Sequence, residues 1–464
     1  MVCSHDRSLH PTTRFNCQFQ GRWVIDRRNF LKATGGIAAT TLVTGSAHAK
    51  RRKKRKQRGS DIPVLGTGEG RDLAAESHGG PLALPAWGYH TTSAATDAML
   101  MFRGNPTHTF YGTGPVPDKV PEVRWKQRMQ DFESLYYGTP HVWSGTGWTG
   151  QAVVYGGYVF IGSQGRHIYA YEAETGKLRW RFETRRQVKA SICLYDNKLY
   201  VGCVDDWLRC IDASTGSLVW KLDTGRDLDS SATVVDGRLY IAGENGYARC
   251  LDPATGEKHW KAFVGGINRG KKTGSYGSET SPAVADGEFY CATYDGELFN
   301  LDITTGKKRW IAKTGDDTDV SPVISGDHVF VAAQEKSPYL FCFAREDGRQ
   351  IWKMTNRRGW WSTPAVVGDN LYIGGFNSRV YGLNARTGEP RWVKRLKSPT
   401  WASPAVVDDR VIIGDFDGKL WCLDAKTGDE VWVKKLGGRL HSTPVILNGR
   451  IYIGAGDGWF YCLG

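Results

Sequence analysis

A tryptophan recurs along most of the chain at nearly constant spacing. Consecutive members are 40, 40, 50, 42, 40 and 40 residues apart. Six of the seven stand four residues after the glycine of a Thr-Gly pair, and one stands in the same way after Asp347-Gly348. The seven members are Trp180, Trp220, Trp260, Trp310, Trp352, Trp392 and Trp432. A period of about 40 residues predicts a repeat architecture in which each unit buries its apolar face against its neighbours.

Each repeat contains four short runs rich in Val, Ile, Tyr and Leu, divided by turn signals such as Asp286-Gly287. Four antiparallel strands in 40 residues is the pattern of a propeller blade. An eighth copy, residues 440–464, stops after its third run, whereas Pro121–Met129 carries Trp125 and matches the missing fourth run. We therefore predict an all-β fold over residues 121–464. It is an eight-bladed β-propeller of four-stranded antiparallel blades, closed by an N-terminal strand that completes the last blade.

The first 49 residues have the parts of an export signal. The run Arg27-Arg28-Asn29-Phe30-Leu31-Lys32 precedes a mildly apolar stretch that ends at Ala47-His48-Ala49, a small-x-small cleavage site. The arginine pair resembles the twin-arginine export signal, which implies export of an already folded chain. We expect a periplasmic or extracellular protein that keeps no transmembrane anchor after cleavage.

Positive charge is concentrated ahead of the repeats. The chain has 61 basic and 48 acidic residues, a net charge of +13 that by itself favours an anionic partner such as nucleic acid. Residues 1–58 hold 14 of the basic and 2 of the acidic residues, and eight of the basic ones lie in Lys50–Arg58. Residues 59–464 are therefore almost neutral, and no specific nucleic-acid partner is expected. Residues 50–120 are predicted to be a basic tail, able to attract an anionic surface, followed by a linker.

The repeat core Asp-x-x-Thr-Gly-x-x-x-Trp, as in Asp212 to Trp220 and Asp424 to Trp432, resembles the tryptophan-docking repeat of pyrroloquinoline-quinone (PQQ) type propellers. The resemblance covers residues 121–464 and implies eight blades. Two functional classes share this repeat. One contains quinone-dependent dehydrogenases, and the other contains non-catalytic propellers similar to the outer-membrane-assembly lipoprotein.

The recurring tryptophans are interpreted as structural plates that pack between neighbouring blades, with Trp125 as the eighth. The cysteines are interpreted as packing residues as well. Five of them share one repeat position, which small residues fill in other blades: Cys210, Cys250, Cys342, Cys422 and Cys462, against Ala170, Asn300 and Gly382. Because stacked sheets lie about 10 Å apart and a disulfide needs Cα atoms within about 7 Å, we predict free thiols.

Candidate binding residues fall where the fourth strand of one blade leads into the first strand of the next. One repeat position there, at the mouth of the central channel, holds Trp148, Lys189, Asp229, Glu279, Asp319, Trp361, Trp401 and His441. Equivalent positions share an orientation, so these side chains are predicted to form one funnel, with consecutive acids facing an aromatic and basic arc. The funnel could bind a planar or sugar-like ligand by stacking, or a cation through its carboxylates.

The resemblance to quinone dehydrogenases implies a further set of roles. Trp361 or Trp401 would supply an aromatic floor, Arg357 or Arg358 would contact the cofactor, Glu279 and Asp319 would hold calcium, and Asp319 would be the catalytic base. However, the adjacent Cys-Cys pair and the long inserted loops common in those enzymes are missing from the sequence. We therefore expect a non-catalytic binding or scaffold protein that holds a protein, a polymer or a small ligand at its channel mouth. A calcium- and PQQ-dependent dehydrogenase of alcohols or sugars is the alternative.

Overall fold

The computed structural model describes residues 63–65, 75–87, 97–136, 139–147, 150–265 and 277–464. The predicted signal at residues 1–49 and the basic tail at 50–58 lie outside these residues. All regular secondary structure in the described part is β: eight successive antiparallel blades and a separate two-stranded hairpin of Phe132–Tyr136 and Thr139–Trp143. No helix in that part is long and apolar enough to cross a membrane.

The two strands of each blade that lie nearest the channel are short and largely buried. The innermost strands, which line the channel, are Val153–Tyr155, Cys193–Tyr195, Thr233–Val235, Ala283–Ala285, Val323–Ser325, Ala365–Val367, Ala405–Val407 and Val445–Leu447. The second strands are Tyr158–Gly162, Lys198–Gly202, Arg238–Gly243, Glu288–Ala292, His328–Ala332, Asn370–Gly375, Arg410–Gly414 and Arg450–Gly454. We number the blades 1 to 8 in this order.

The two outer strands complete each blade. The third strands are His167–Glu172, Trp207–Asp212, Tyr247–Leu251, Glu297–Asp302, Tyr339–Ala344, Arg379–Asn384, Lys419–Asp424 and Trp459–Leu463. The outermost strands are Leu178–Glu183, Leu218–Asp223, Lys258–Phe263, Lys308–Lys313, Gln350–Thr355, Pro390–Arg395 and Glu430–Lys435, with Val123–Arg128 in blade 8. This last strand pairs with Trp459–Leu463, so the N-terminal strand closes the ring as predicted.

The repeat tryptophans join neighbouring blades. Each indole Nε1 donates a hydrogen bond of 2.7–3.1 Å to a main-chain carbonyl beyond its own blade. The glycine of the neighbouring Thr-Gly pair lies under the ring: at Gly176 a Cβ atom would stand 2.5 Å from the indole of Trp125. Trp432 of blade 7 instead donates to Pro117, because the chain ends interrupt blade 8 at this turn. The recurring motif thus encodes the joints of the ring.

A second set of joints surrounds the channel. In blades 2 to 7, the Ser or Thr two residues before the innermost strand accepts a hydrogen bond from the main-chain N–H at the equivalent position of the preceding blade. The described bonds, 2.8–3.2 Å long, run from Gln151 to Ser191, Ser191 to Ser231, Ser231 to Ser281, Ser281 to Ser321, Ser321 to Thr363, and Thr363 to Ser403. This hydroxyl chain satisfies buried backbone donors and fixes the spacing of the blades.

Residues 97–118, which precede the predicted start of the propeller at residue 121, pack inside its channel. We call this segment the plug. Met99 exchanges two backbone hydrogen bonds with Val154 of blade 1. The plug carbonyls of Leu100, Pro106 and Thr107 accept bonds from the innermost strands of blades 2, 4 and 5. The composition of this stretch predicted a linker because it is rich in Gly, Pro and Thr, but those residues suit a chain that must turn within a narrow channel.

Close packing inside the channel restricts which residues the plug can carry. At Gly112, whose φ is +129°, a Cβ atom would stand 1.8 Å from the carbonyl oxygen of Ile446. The Arg103 guanidinium is 1% exposed and donates to the carbonyls of Pro364 and Pro404 at 2.5 and 2.6 Å, while lying 4.5 Å from the centre of the Tyr111 ring. Burial lowers the pKa of Arg103. The plug is therefore an integral part of the core.

Two further strands from the region before the plug extend blades 1 and 2. Glu76–Ser77 pairs with the outermost strand of blade 1, and Pro63–Leu65 pairs with that of blade 2, so these two sheets have five strands. They cover two outer edges that the repeat alone would leave unpaired.

The eight cysteines in the described residues are buried and free, as predicted. Cys193 lies opposite Tyr200, and Cys210 lies beside Trp220 in the adjacent strand. Burial raises the pKa of Cys193 and Cys210 to about 12, which makes them poor nucleophiles at neutral pH.

Candidate functional site

The channel opens on the face where each outermost strand leads into the next innermost strand. We call this opening the mouth. The predicted ring of residues lies here, and Trp148 is its one member outside the described residues. A second ring, which the sequence analysis did not identify, comes from the turns between second and third strands: Gln164, Val204, Glu244, Tyr294, Gln334, Phe376, Phe416 and Gly456. These residues also recur at one position per blade, which is the signal that could have revealed them.

Aromatic residues from the two rings cluster on blades 6, 7 and 8. The ring centres of Trp361 and Trp401 are 5.7 Å apart, and Trp361 lies 4.6 Å from Phe376. Phe416 contacts both Trp401 and His441, at 6.0 and 4.8 Å. These five residues, which we call the aromatic arc, are half-buried.

The histidine of the arc is held as a neutral ring. His441 Nδ1 donates to the carbonyl of Gly147 at 2.6 Å. Burial lowers the pKa of His441 to about 4, and the nearby Arg439 acts in the same direction. Arg439 itself lies 5.2 Å from the centre of the Phe416 ring, as a cation does over an aromatic face. The arc is therefore apolar and uncharged at neutral pH, and the exposed Arg439 lies at its edge.

Carboxylates converge on blades 3 and 4. Oxygen atoms of Asp229, Glu244 and Glu279 lie within 4.8 Å of one another. We call these three residues the acid group. The Tyr294 hydroxyl contacts Glu244 at 3.1 Å and also hydrogen-bonds Glu279. Blades 3 and 4 stand across the ring from blades 7 and 8, so the acid group faces the aromatic arc across the mouth.

Crowding and burial disfavour negative charge in the acid group. Burial, together with Glu279 and Asp229, raises the pKa of Glu244 well above its usual range. Burial also raises the pKa of Asp229, although Lys189 opposes that shift with an ion pair of 2.8 Å. The Asp229 side chain is 9% exposed, and its Oδ1 accepts no hydrogen bond from a described residue. Among the described residues, Lys189 forms an ion pair with one of these three crowded carboxyl groups, an arrangement that a further cation would stabilise.

Asp227 adds a fourth carboxylate beside this group. The Arg186 guanidinium lies 4.0 Å from its Oδ1. Burial raises the pKa of Asp227 to about 6, with Asp206 acting in the same direction and Lys189 and Arg186 against it. Asp227 therefore changes charge close to neutral pH.

The remaining predicted residues lie apart from the acid group. Asp319 Oδ2 accepts a hydrogen bond of 2.8 Å from Gln334, its neighbour in the second ring. Among the described residues, the carboxylates that converge with Glu279 are Asp229 and Glu244, and Asp319 is not part of that group. Arg357 and Arg358 are exposed on the loop between blades 5 and 6. The set implied by the resemblance, Glu279 with Asp319 as a calcium site, therefore differs from the observed grouping.

Sequence comparison agrees with the fold and the repeat. The family model described as outer membrane protein assembly factor BamB matches residues 121–353 and 336–459. The chain belongs to this BamB family. No curated protein sequence matches it significantly. BamB from Moraxella catarrhalis is 17% identical with a TM-score of 0.61, and the alignment covers 74% of this chain and 99% of that one.

Solved dehydrogenases share the fold of this BamB family member. A europium-containing methanol dehydrogenase is 14% identical with a TM-score of 0.60, over 80% of this chain and 98% of that one. The quinohemoprotein alcohol dehydrogenase of Comamonas testosteroni is 15% identical with a TM-score of 0.65, over 80% of this chain and 81% of that one. At such identities these likenesses show the PQQ-like propeller fold, which a scaffold and several enzymes share.

Proposed function

We propose that this chain is an exported, non-catalytic propeller that binds a cationic, partly apolar segment of a partner protein at its mouth. The observation that supports this best is the acid group facing the aromatic arc across one opening. Carboxylates attract lysine or arginine, and half-exposed aromatic rings bind apolar side chains or the face of a guanidinium. A peptide segment with both features would contact both walls at once. The export route itself remains a prediction from the first 49 residues.

The quinone alternative requires a different arrangement of side chains. Pyrroloquinoline quinone is flat and carries three carboxylates, so it needs a flat stacking floor and nearby cations. The Trp361 and Trp401 rings are inclined by 58° and pack against each other. Lys189 is paired with Asp229, and crowded carboxyl groups dominate that wall. This inclined floor and carboxyl-rich wall fit the anionic cofactor poorly, although the loop that precedes Trp361 carries the exposed Arg357 and Arg358, and the acid group favours a cationic ligand.

A direct test is to titrate a fluorescent peptide of alternating lysine and tryptophan into the protein and follow its anisotropy. The chain should carry glutamine at the eight basic positions of Lys50–Arg58, so that the tail cannot compete for an acidic site. We expect saturable binding. The double variant Asp229→Asn and Glu279→Gln should bind at least about tenfold more weakly, because losing even one partly desolvated charge pair costs more than about 1.4 kcal/mol.

Two controls separate the mouth from general electrostatic attraction. Asp369, exposed on the opposite face and paired with Arg386, offers a matched substitution, Asp369→Asn, that should leave the affinity unchanged. A peptide with glutamate in place of lysine should not bind. If the double variant binds the lysine-tryptophan peptide as tightly as the chain with the unmodified mouth, the proposed site is wrong.

Binding should also depend on pH, because Asp227 has a pKa of about 6. Its carboxyl is charged at pH 7.5 and protonated at pH 5, so the same peptide should bind more weakly at pH 5, with a midpoint near 6. Since the folded pKa lies above the usual 3.8, the folded chain gains stability from this group as the pH falls through 6. Asp227→Asn should remove the midpoint near 6. An unchanged pH profile in that variant would assign the titration to another group.

A further inference from the structure

The strand Pro63–Leu65 fixes where the basic tail leaves the propeller. It is antiparallel to the outermost strand of blade 2, with Pro63 opposite Leu222 and Leu65 opposite Trp220. That outermost strand ends at Asp223, on the face that carries the mouth. The segment that precedes Pro63 therefore joins this strand at the mouth face, at the outer edge of blade 2.

The acid group is close to this exit. Asp227 and Asp229 lie in the connection that follows Asp223, which leads from blade 2 into blade 3. Four strand spacings separate the fifth strand of a blade from the channel, a distance of about 19 Å. At about 3.4 Å per residue, the chain between Lys50 and Pro63 can span about 40 Å. Much of the basic run Lys50–Arg58 can therefore reach the mouth.

Charge and hydrogen bonding are complementary between the two parts. The tail has eight basic residues in nine positions. Asp227 and the acid group bring four carboxyl groups together, and among the described residues Lys189 of blade 2 pairs with Asp229. In addition, Asp229 Oδ1 is buried and accepts no hydrogen bond from a described residue. A buried carboxylate oxygen without a donor is costly, and a lysine or arginine head group would satisfy it.

We propose that the basic tail Lys50–Arg58 occupies the mouth of its own chain and competes there with the partner segment. This inference rests on the proposed function, because both ligands use the same acid group. The tail acts as a tethered ligand, and a short tether gives an effective concentration in the millimolar range. A partner must then displace it, so binding is weaker than the mouth alone would give.

The test compares two full-length chains, one with the native tail and one with glutamine at its eight basic positions. Titrated with the lysine-tryptophan peptide at low salt, the glutamine chain should bind at least about tenfold more tightly, as expected for removal of a tethered competitor. The difference should shrink at high salt, where charges are screened. Equal affinity of the two chains would overturn the autoinhibitory contact. If neither chain binds the peptide, the proposed function fails, and the following measurement decides the tail contact independently.

Zero-length carbodiimide cross-linking reports the contact without any peptide. It joins a lysine amine to a carboxylate only when the two touch. We expect links from Lys50, Lys53, Lys54 or Lys56 to Asp227, Asp229 or Glu279. In a mixture of isotopically light and heavy chains, these links should join residues of the same chain. Links between chains, or links confined to carboxylates on the opposite face such as Glu174, would overturn the proposal.

Discussion

A chain that begins at residue 121, where the repeats start, will fail to give a stable folded protein, whereas one that begins at residue 97 will fold. The shorter chain lacks the plug, whose Met99, Leu100, Met101, Tyr111 and Val116 are at most 6% exposed. Burying one such side chain contributes about 1.5–3 kcal/mol, so together they contribute roughly 10 kcal/mol. That is comparable to the whole stability of a typical domain, about 5–15 kcal/mol.

Removal of the plug should cost more stability than the loss of this apolar burial alone. Without the plug, the N–H groups of Leu194, Val284 and Ile324 lose their described acceptors, and the channel would open to water. Thermal unfolding and the soluble yield of the two chains measure the effect. The chain that begins at 97 is the matched control, because it lacks the added strands of blades 1 and 2 but retains the plug. Similar unfolding temperatures for both chains would show that the plug is dispensable.

The second large effect is expected from Trp220→Ala, which should lower the free energy of unfolding by about 3–5 kcal/mol. The Trp220 ring is fully buried at the joint between blades 2 and 3, and its removal leaves a cavity there. Trp220→Phe keeps most of the ring and should cost much less, because the carbonyl of Pro253 still accepts a hydrogen bond from Tyr200 at 3.0 Å. Denaturant unfolding of the three chains measures the difference.

A positional control is available within the ring. Trp310 makes the equivalent bond to Arg345 but is only half-buried, so Trp310→Ala should cost less than Trp220→Ala. Equal losses of stability in the two alanine variants would contradict the role of burial. If neither variant differs from the native chain by more than about 1 kcal/mol, the tryptophans are not the principal joints.

Most of the fold that could be predicted from the sequence was predicted from the repeat. Because every blade repeats the same motif, the strand number, the ring closure through Val123–Arg128 and the role of the tryptophans followed from spacing alone. The plug did not follow, because Met99–Pro106 belongs to no repeat and its hydrogen-bond partners in the blades are at least 48 residues away in sequence. Its irregular composition is that of a linker, and only the tertiary structure distinguishes a linker from a segment that packs inside the channel.

The candidate site was predictable in part for the same reason. Residues such as Trp361 and Glu279 stand at a recurring position, so their placement at the mouth followed from the period. The position of Glu244 also recurs once per blade, but Glu244 was missed because in its own repeat it appears as an ordinary turn residue before Asn245-Gly246. Its proximity to Glu279 depends on two different loops of adjacent blades. Such contacts between loops have no signal in the spacing of a single sequence.

Carboxyl footprinting of the mouth tests the central claim most directly. The chain with the neutralised tail is treated with a carbodiimide and glycinamide, with and without saturating lysine-tryptophan peptide, and the modified residues are mapped. The account predicts that the peptide protects Asp229 and Glu279, while the exposed Glu174 and Asp369 on the opposite face react as before. Peptide binding that leaves Asp229 and Glu279 as reactive as in the free chain would contradict a role for the acid group in binding.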